Sequence, residues 1–97
     1  MLKNNQKKHL KALAHNKKPV VIIGNNGLTS TVLEEIDKAL IHHELIKIRV
    51  NAEDRDQRET MVQRIGTELT AELVQRIGHI ATFFRRNPEH SKIQLPN

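Results

Sequence analysis

The sequence predicts an α/β chain of the two-layer α+β kind, with three helices and a four-stranded mixed sheet in the order α-β-α-β-α-β-β. Three observations predict it. Val20-Val21-Ile22-Ile23 is a short apolar run, Leu45-Ile46-Lys47-Ile48-Arg49-Val50 alternates apolar with charged residues, and a three-to-four helical spacing lies between them. A strand, a helix and a second strand in that order require a parallel pair joined by a crossover. Gly78-His79 then stands where a two-residue turn would join an antiparallel hairpin.

Residues 4–15 form the first expected helix, because Leu10, Leu13 and Ala14 recur at helical spacing while Lys3, Lys7 and Lys11 occupy an adjoining arc. Lys17-Lys18-Pro19 ends it, since the residue before a proline is pushed out of the α region. Val20 to Ile23 is expected as a strand buried on both faces, the usual pattern of a parallel strand. Past Gly24-Asn25-Asn26-Gly27, the hydroxyls of Thr29, Ser30 and Thr31 offer N-caps, and Thr31 with Glu34 fits a capping box. Leu33, Ile36 and Leu40, with Val32 and Ala39, mark the core side of this second helix, which His42-His43-Glu44 closes.

In the second strand Ile46, Ile48 and Val50 take one face, and Lys47 and Arg49 the other. Asp54 with Gln57, or Asp56 with Glu59, caps a third helix whose core side carries Met61, Val62, Ile65 and Leu69. Gly66 interrupts it at a cost of about 1 kcal/mol relative to alanine. Leu73–Ile77 and Ile80–Phe84 make the hairpin, with Gly78 where a type II′ turn needs positive φ. The pentapeptide Val-Gln-Arg-Ile-Gly occurs at Val62 and again at Val74, and context assigns one copy to a helix and the other to a strand. Residues 87–97, with two prolines, are expected to be irregular and to close a single domain over residues 1–97.

A 97-residue domain buries only about 60–70% of the surface of its unfolded chain, which leaves little room for a deep active site. Phe83 and Phe84 are the only aromatic residues, so recognition schemes built on several stacking platforms are excluded. There is no cysteine, which removes disulfides and thiolate zinc sites. No segment approaches the roughly 20 apolar residues that span a bilayer, and the N-terminus lacks the apolar core of a secretion signal, so a cytoplasmic location is expected.

Charge is distributed unevenly. Residues 1–33 hold six lysines and no acid; residues 34–75 hold six basic and ten acidic residues; residues 76–97 hold four basic residues and one acid. Basic ends around an acidic middle steer polyanions toward part of the surface.

The stretch Gly24-Asn25-Asn26-Gly27 joins the first strand to a helix. A phosphate loop of nucleotide hydrolases would end in Gly-Lys-Ser or Gly-Lys-Thr, and a dinucleotide fingerprint would hold three glycines; Gly27 is followed by Leu28 and no third glycine is present. What remains is a bare turn that brings main-chain amides and the positive end of a helix dipole to the surface. Asn25 and Asn26 add side-chain amide donors. KH domains clamp backbone nucleotides with a GXXG loop. By itself the tetrapeptide is equally compatible with a sharp turn that serves only the fold.

Several stretches together carry a resemblance: Leu10-Lys11-Ala12-Leu13-Ala14-His15, Lys18-Pro19-Val20-Val21, Gly24-Asn25-Asn26-Gly27-Leu28-Thr29, His42-His43-Glu44-Leu45-Ile46-Lys47 and Val74-Gln75-Arg76-Ile77-Gly78. In this order the chain resembles the CRM domain family (chloroplast RNA splicing and ribosome maturation), in its stand-alone bacterial YhbY-like form. The resemblance implies an RNA-binding domain similar to the C-terminal domain of a bacterial translation initiation factor, associated with assembly of the large ribosomal subunit. It maps an RNA-contacting loop onto Gly24 to Gly27 and a basic first helix onto Lys3 to Lys18. Two positions depart from the family pattern. Phe84-Arg85 stands where relatives often carry Tyr-Arg, and His79 where a lysine is common in the last hairpin.

The expected function is therefore non-catalytic binding of ribosomal RNA in large-subunit precursors. Gly24, Asn25, Asn26, Gly27 and Thr29 would form the clamp, with Lys7, Lys8, Lys11, Lys17, Lys18, Lys47, Arg49, Arg85 and Arg86 supplying attraction. With so few aromatics and no evident base-reading constellation, shape and backbone readout are expected. The runner-up is a protein–protein adaptor that uses its acidic helices, and a third reading is an enzyme acting on small anions. No catalytic residues, metal or other cofactor, membrane contact or small-molecule substrate is assigned: no two of the six histidines share a metal-binding helical spacing. The acids among residues 53–59 alternate with arginines where a helix start belongs. A monomer is expected.

Overall fold

The computed structural model describes residues 2–97. Its elements are α1 (Asn4–Ala14), β1 (Pro19–Ile23), α2 (Ser30–His43), β2 (Leu45–Val50), α3 (Arg55–Leu69), β3 (Glu72–Ile77) and β4 (Ile80–Phe84), in the expected order. The four strands form one mixed sheet in the order β1-β2-β4-β3. β1 and β2 are parallel, with Ile22 opposite Arg49 and Ile23 opposite Val50. β4 runs antiparallel to both β2 and β3.

The alternation in β2 divides the core. Ile46, Ile48 and Val50 join Val21, Ile23, Ala81 and Phe83 beneath Ile36 and Leu40 of α2 and Val62 and Ile65 of α3. On the opposite face, Leu10 and Ala14 of α1 pack on Leu45, Val74 and Phe84. α1 therefore covers only one end of that second face. The rest of it, where Lys47 and Arg49 project, carries no helix.

This partial cover corrects one expectation. β1 is not buried on both faces: Val20 is 51% and Ile22 61% exposed, whereas Val21 and Ile23 are buried. β1 is an edge strand, and its second face lies beyond the reach of α1. Leu13 is likewise 41% exposed, because α1 turns Leu10 and Ala14 inward. The cap of α2 is Thr29, whose Oγ1 accepts the Val32 N–H at 3.2 Å, in place of the Thr31–Glu34 box; Thr31 already lies inside the helix. α3 begins as one of the two expected options, with Asp54 Oδ1 accepting the Gln57 N–H at 2.8 Å.

The two copies of the repeated pentapeptide lie in α3 and β3. A Cβ at Gly66 would lie 3.3 Å from the Ala71 carbonyl oxygen, so close packing at the end of α3 accounts for that glycine. Gly78, at φ 56°, opens the β3–β4 turn as expected.

Residues 87–97 have no regular structure, but they are anchored. The buried carboxylate of Glu44 accepts the backbone N–H groups of Asn87, Lys92 and Ile93 at 2.7, 2.6 and 2.9 Å. Ile93 and Leu95 pack against the α1 cluster, and Asn5 and Gln6 of α1 donate to the Asn97 and Pro96 carbonyls.

Candidate nucleic-acid interface

The Gly24–Gly27 segment is a tight turn closed by a hydrogen bond from the Gly27 N–H to the Gly24 carbonyl, 3.0 Å. Thr29 donates its N–H to the Gly27 carbonyl at 3.1 Å, which leads the chain into the Thr29 cap. The Gly27 amide is thus engaged internally. Among the described residues, the N–H groups of Asn25, Asn26 and Leu28 have no intramolecular acceptor, and they lie just before the α2 N-terminus. Exposed amides beside a helix N-terminus favour anions.

The two glycines differ in kind. Gly27 has φ +72°, a backbone that disfavours other residues, so the fold itself calls for glycine. Gly24 has no such φ, and a Cβ built on it meets no atom within 4 Å. Neither conformation nor packing inside the chain requires a glycine at position 24. The same point lies at the rim of a cavity of about 350 Å³ that is also lined by Asn25, Asn51, Glu53, Gln57 and Met61.

Lys47 and Arg49 project from the uncovered sheet face. Strand pairing sets them in two rows: Pro19, Lys47, Thr82 and Gln75 in one, and Ile22, Arg49, Ile80 and Ile77 in the other. Successive same-face residues on a strand are about 6.5 Å apart, so the two cations form a short track along β2. At its start, Lys17, Lys18 and Lys47 line one hollow of about 290 Å³. At its far end, Arg49 lies across from Ile22, two residues before Gly24. Lys17, Lys18, Lys47 and Arg49 thus follow one another along this face, with Lys17 and Lys18 at the end away from the turn and Arg49 at the end nearest it. Lys7, Lys8 and Lys11 are on α1, which packs on the same side of the sheet through Leu45 and Phe84.

Arg85 and Arg86 do not join this track. Arg85 turns to the α2–α3 side, where it donates to Asp37 Oδ1 at 2.8 Å and to the Leu69 carbonyl at 2.9 Å. Arg86 leaves the sheet at the end opposite the turn, since Phe84 pairs with Leu45 at the start of β2, and its charge acts on Glu44. Phe84 is 4% exposed beneath α1, so it offers no stacking surface. His79 is held against the end of β2, with Nδ1 3.3 Å from the Val50 carbonyl oxygen.

Burial opposes ionisation of the Glu44 carboxyl, but the three amide donors and Arg86 outweigh it and hold its pKa below the ordinary glutamate value. Sequence reasoning missed this anchor, since nothing local marks Glu44 as buried. It also missed Asn51, Glu53, Gln57 and Met61 as neighbours of the turn. The available signal was a polar residue directly after a parallel strand, where crevices form at diverging loops. Among the described residues no group of three or more histidine, aspartate and glutamate side chains is arranged to hold a metal ion, and no helix is long and apolar enough to cross a membrane.

The chain is similar to several known proteins. A Haemophilus influenzae protein named RNA-binding protein is 50% identical over 95 residues, covering 98% of this chain and 95% of the relative. PA4753 of Pseudomonas aeruginosa, which carries the name probable RNA-binding protein, is 41% identical over 91 residues, covering 94% and 88%. The solution structure of the hypothetical protein SAV1595 from Staphylococcus aureus, described there as a candidate RNA-binding protein, superposes with a TM-score of 0.83 at 34% identity and covers 99% of this chain and 100% of that one. Residues 2–85 match the model of the CRS1 / YhbY (CRM) domain. With its helix order, its mixed sheet and the turn before α2 all in place, this chain belongs to the CRS1 / YhbY (CRM) domain family.

Proposed function

We propose that this protein is a non-catalytic, monomeric, cytoplasmic RNA-binding protein that acts on ribosomal RNA in precursors of the large subunit. The turn at Gly24–Gly27 grips phosphodiester groups through the amides of Asn25, Asn26 and Leu28, with Thr29 holding the α2 N-terminus behind them. Lys17, Lys18, Lys47 and Arg49 hold the flanking backbone, and Lys7, Lys8 and Lys11 extend the attraction along α1. Arg86 contributes long-range field only, and Arg85 serves the fold.

One observation carries this reading: position 24 is glycine although the folded chain makes no demand for it. A site where a ligand's backbone must come close to the main chain supplies that demand. The names of the relatives from Haemophilus influenzae and Pseudomonas aeruginosa support RNA as the ligand. The adaptor reading is weakened by internal pairing of acids in the middle of the chain: Glu59 with Arg76, Glu68 with Arg64 and Asp37 with Arg85, at 2.7–2.9 Å.

The test is sedimentation of cell extract through a sucrose gradient. Comigration with large-subunit precursors, abolished by high salt, is the expected result. A soluble complex that resists salt would replace this reading with the adaptor.

A further inference from the structure

The cavity beside Gly24 has a chemistry opposite to that of the phosphate grip. It lies past the carboxyl ends of the parallel strands β1 and β2, where the chain diverges into two loops; the Asn51 N–H still donates to the Ile23 carbonyl at 3.1 Å, which marks the last tie between them. A volume of about 350 Å³ falls within the range of ligand clefts, about 300–1,000 Å³. One wall is Gly24 and Asn25, the other Asn51 and Glu53, with Gln57 and Met61 from α3.

The Glu53 carboxylate, an acceptor-only group, has no hydrogen-bond or ion-pair partner among the described residues. Beside it, Gln57 accepts the Glu53 N–H through Oε1 at 3.3 Å, which leaves the Gln57 Nε2 hydrogens to donate. A phosphate placed here would meet the negative charge of Glu53. A nucleobase edge with donors would not.

We propose that this cleft takes one unstacked guanine from the RNA strand whose backbone crosses the Gly24–Gly27 turn. A carboxylate needs two adjacent donors to be fully met, and among the four bases only guanine presents N1–H and N2–H side by side. Its O6, next along the same edge, accepts from an amide such as Gln57 Nε2. Adenine, cytosine and uracil each set at least one acceptor against the carboxylate. The Met61 thioether supplies a soft apolar surface for the base, and the missing Cβ at Gly24 lets the attached sugar-phosphate pass the rim. The inference rests on the RNA-binding reading above and adds base selection to a grip that would otherwise read backbone alone.

The test uses fluorescence anisotropy at low salt with fluorescein-labelled heptauridine and the same strand carrying a central guanosine, inosine, adenosine or cytidine. Guanosine is expected to bind about 5- to 150-fold tighter than uridine, the range for one bidentate base contact. Inosine lacks the N2 amino group and is expected to lose most of that gain. Glu53→Gln is expected to abolish the guanosine preference while leaving heptauridine affinity unchanged or raised, because a negative charge has gone. Equal binding of all five strands overturns the guanine site and leaves the RNA-binding reading standing. A preference that survives in Glu53→Gln places the base elsewhere and overturns the assignment. Absence of binding to any strand overturns the guanine site, and ribosomal RNA titrated in the same assay decides the RNA-binding reading, which falls only if that RNA also fails to bind.

Discussion

Oε1 of Glu44 accepts the backbone N–H of Lys92 at 2.6 Å, joining the end of α2 to the C-terminal segment across 48 residues of chain. Glu44 adopts φ 61°, outside the range ordinary residues prefer, and this conformation delivers its side chain into the interior. With Asn87 and Ile93 also donating, one carboxylate fixes the first half of the irregular tail at three backbone points.

Replacing that carboxylate should release the tail before it unfolds the sheet. Hydrogen bonds to a charged group contribute about 1.5–3 kcal/mol each when measured by deletion, and part of the tail's packing would go with them. Glu44→Gln is expected to lower stability by about 1–3 kcal/mol in urea denaturation. Limited proteolysis should then cut within residues 87–97 first.

The same group gives stability a pH dependence. Because the folded pKa of Glu44 lies below its ordinary value of 4.5, its contribution is present above that value and is lost as pH falls through the folded pKa. The wild-type protein should therefore lose stability on acidification below about pH 4.5. In Glu44→Gln that portion of the acid dependence should be absent, which a series of thermal melts against pH would detect.

The two glycines of the turn should separate binding from folding. Gly27→Ala forces a Cβ into φ +72° and is expected to cost about 1–2 kcal/mol of stability. Gly24→Ala meets no neighbouring atom and should leave stability within about 0.5 kcal/mol while weakening RNA binding. Gly24 is thus the informative position, since weaker binding in a Gly27 variant would be confounded with strain. Wild-type affinity in folded Gly24→Ala would remove the clamp from the account.

Cation deletions should sort by place. Lys47→Ala and Arg49→Ala are each expected to reduce the slope of log affinity against log salt by about 0.7–0.9 for every phosphate that the side chain had neutralised. Arg85→Ala should leave that slope unchanged and lower stability instead, because it vacates the Asp37 carboxylate and the Leu69 carbonyl. A changed slope in Arg85→Ala would return that residue to the binding surface.

Much of this protein was legible in its sequence. The order of elements followed from two kinds of periodicity, and the alternation of β2 correctly put Ile46, Ile48 and Val50 opposite Lys47 and Arg49, since neighbouring side chains on a strand point to opposite faces. The turn at Gly78 and the Asp54 cap were equally local. Even the repeated pentapeptide could be divided between helix and strand by its neighbours.

What the sequence could not supply was the extent of each covering layer. The run at Val20 looks buried because it is apolar, yet its burial depends on where a helix stops, and α1 reaches only the end of the sheet that holds Leu45 and Phe84; Leu13 is exposed because α1 faces the sheet through Leu10 and Ala14. Nor could it tell Arg85 from Lys47: both are cations on strands or at their ends, but register turns one toward Asp37 and the other toward solvent. The charge, the glycines and the periodicities are properties of neighbours along the chain, and the sequence alone determines them. The open sheet face, the Glu44 anchor and the cleft of Gly24 with Glu53 join residues far apart in the chain, so only tertiary packing decides them.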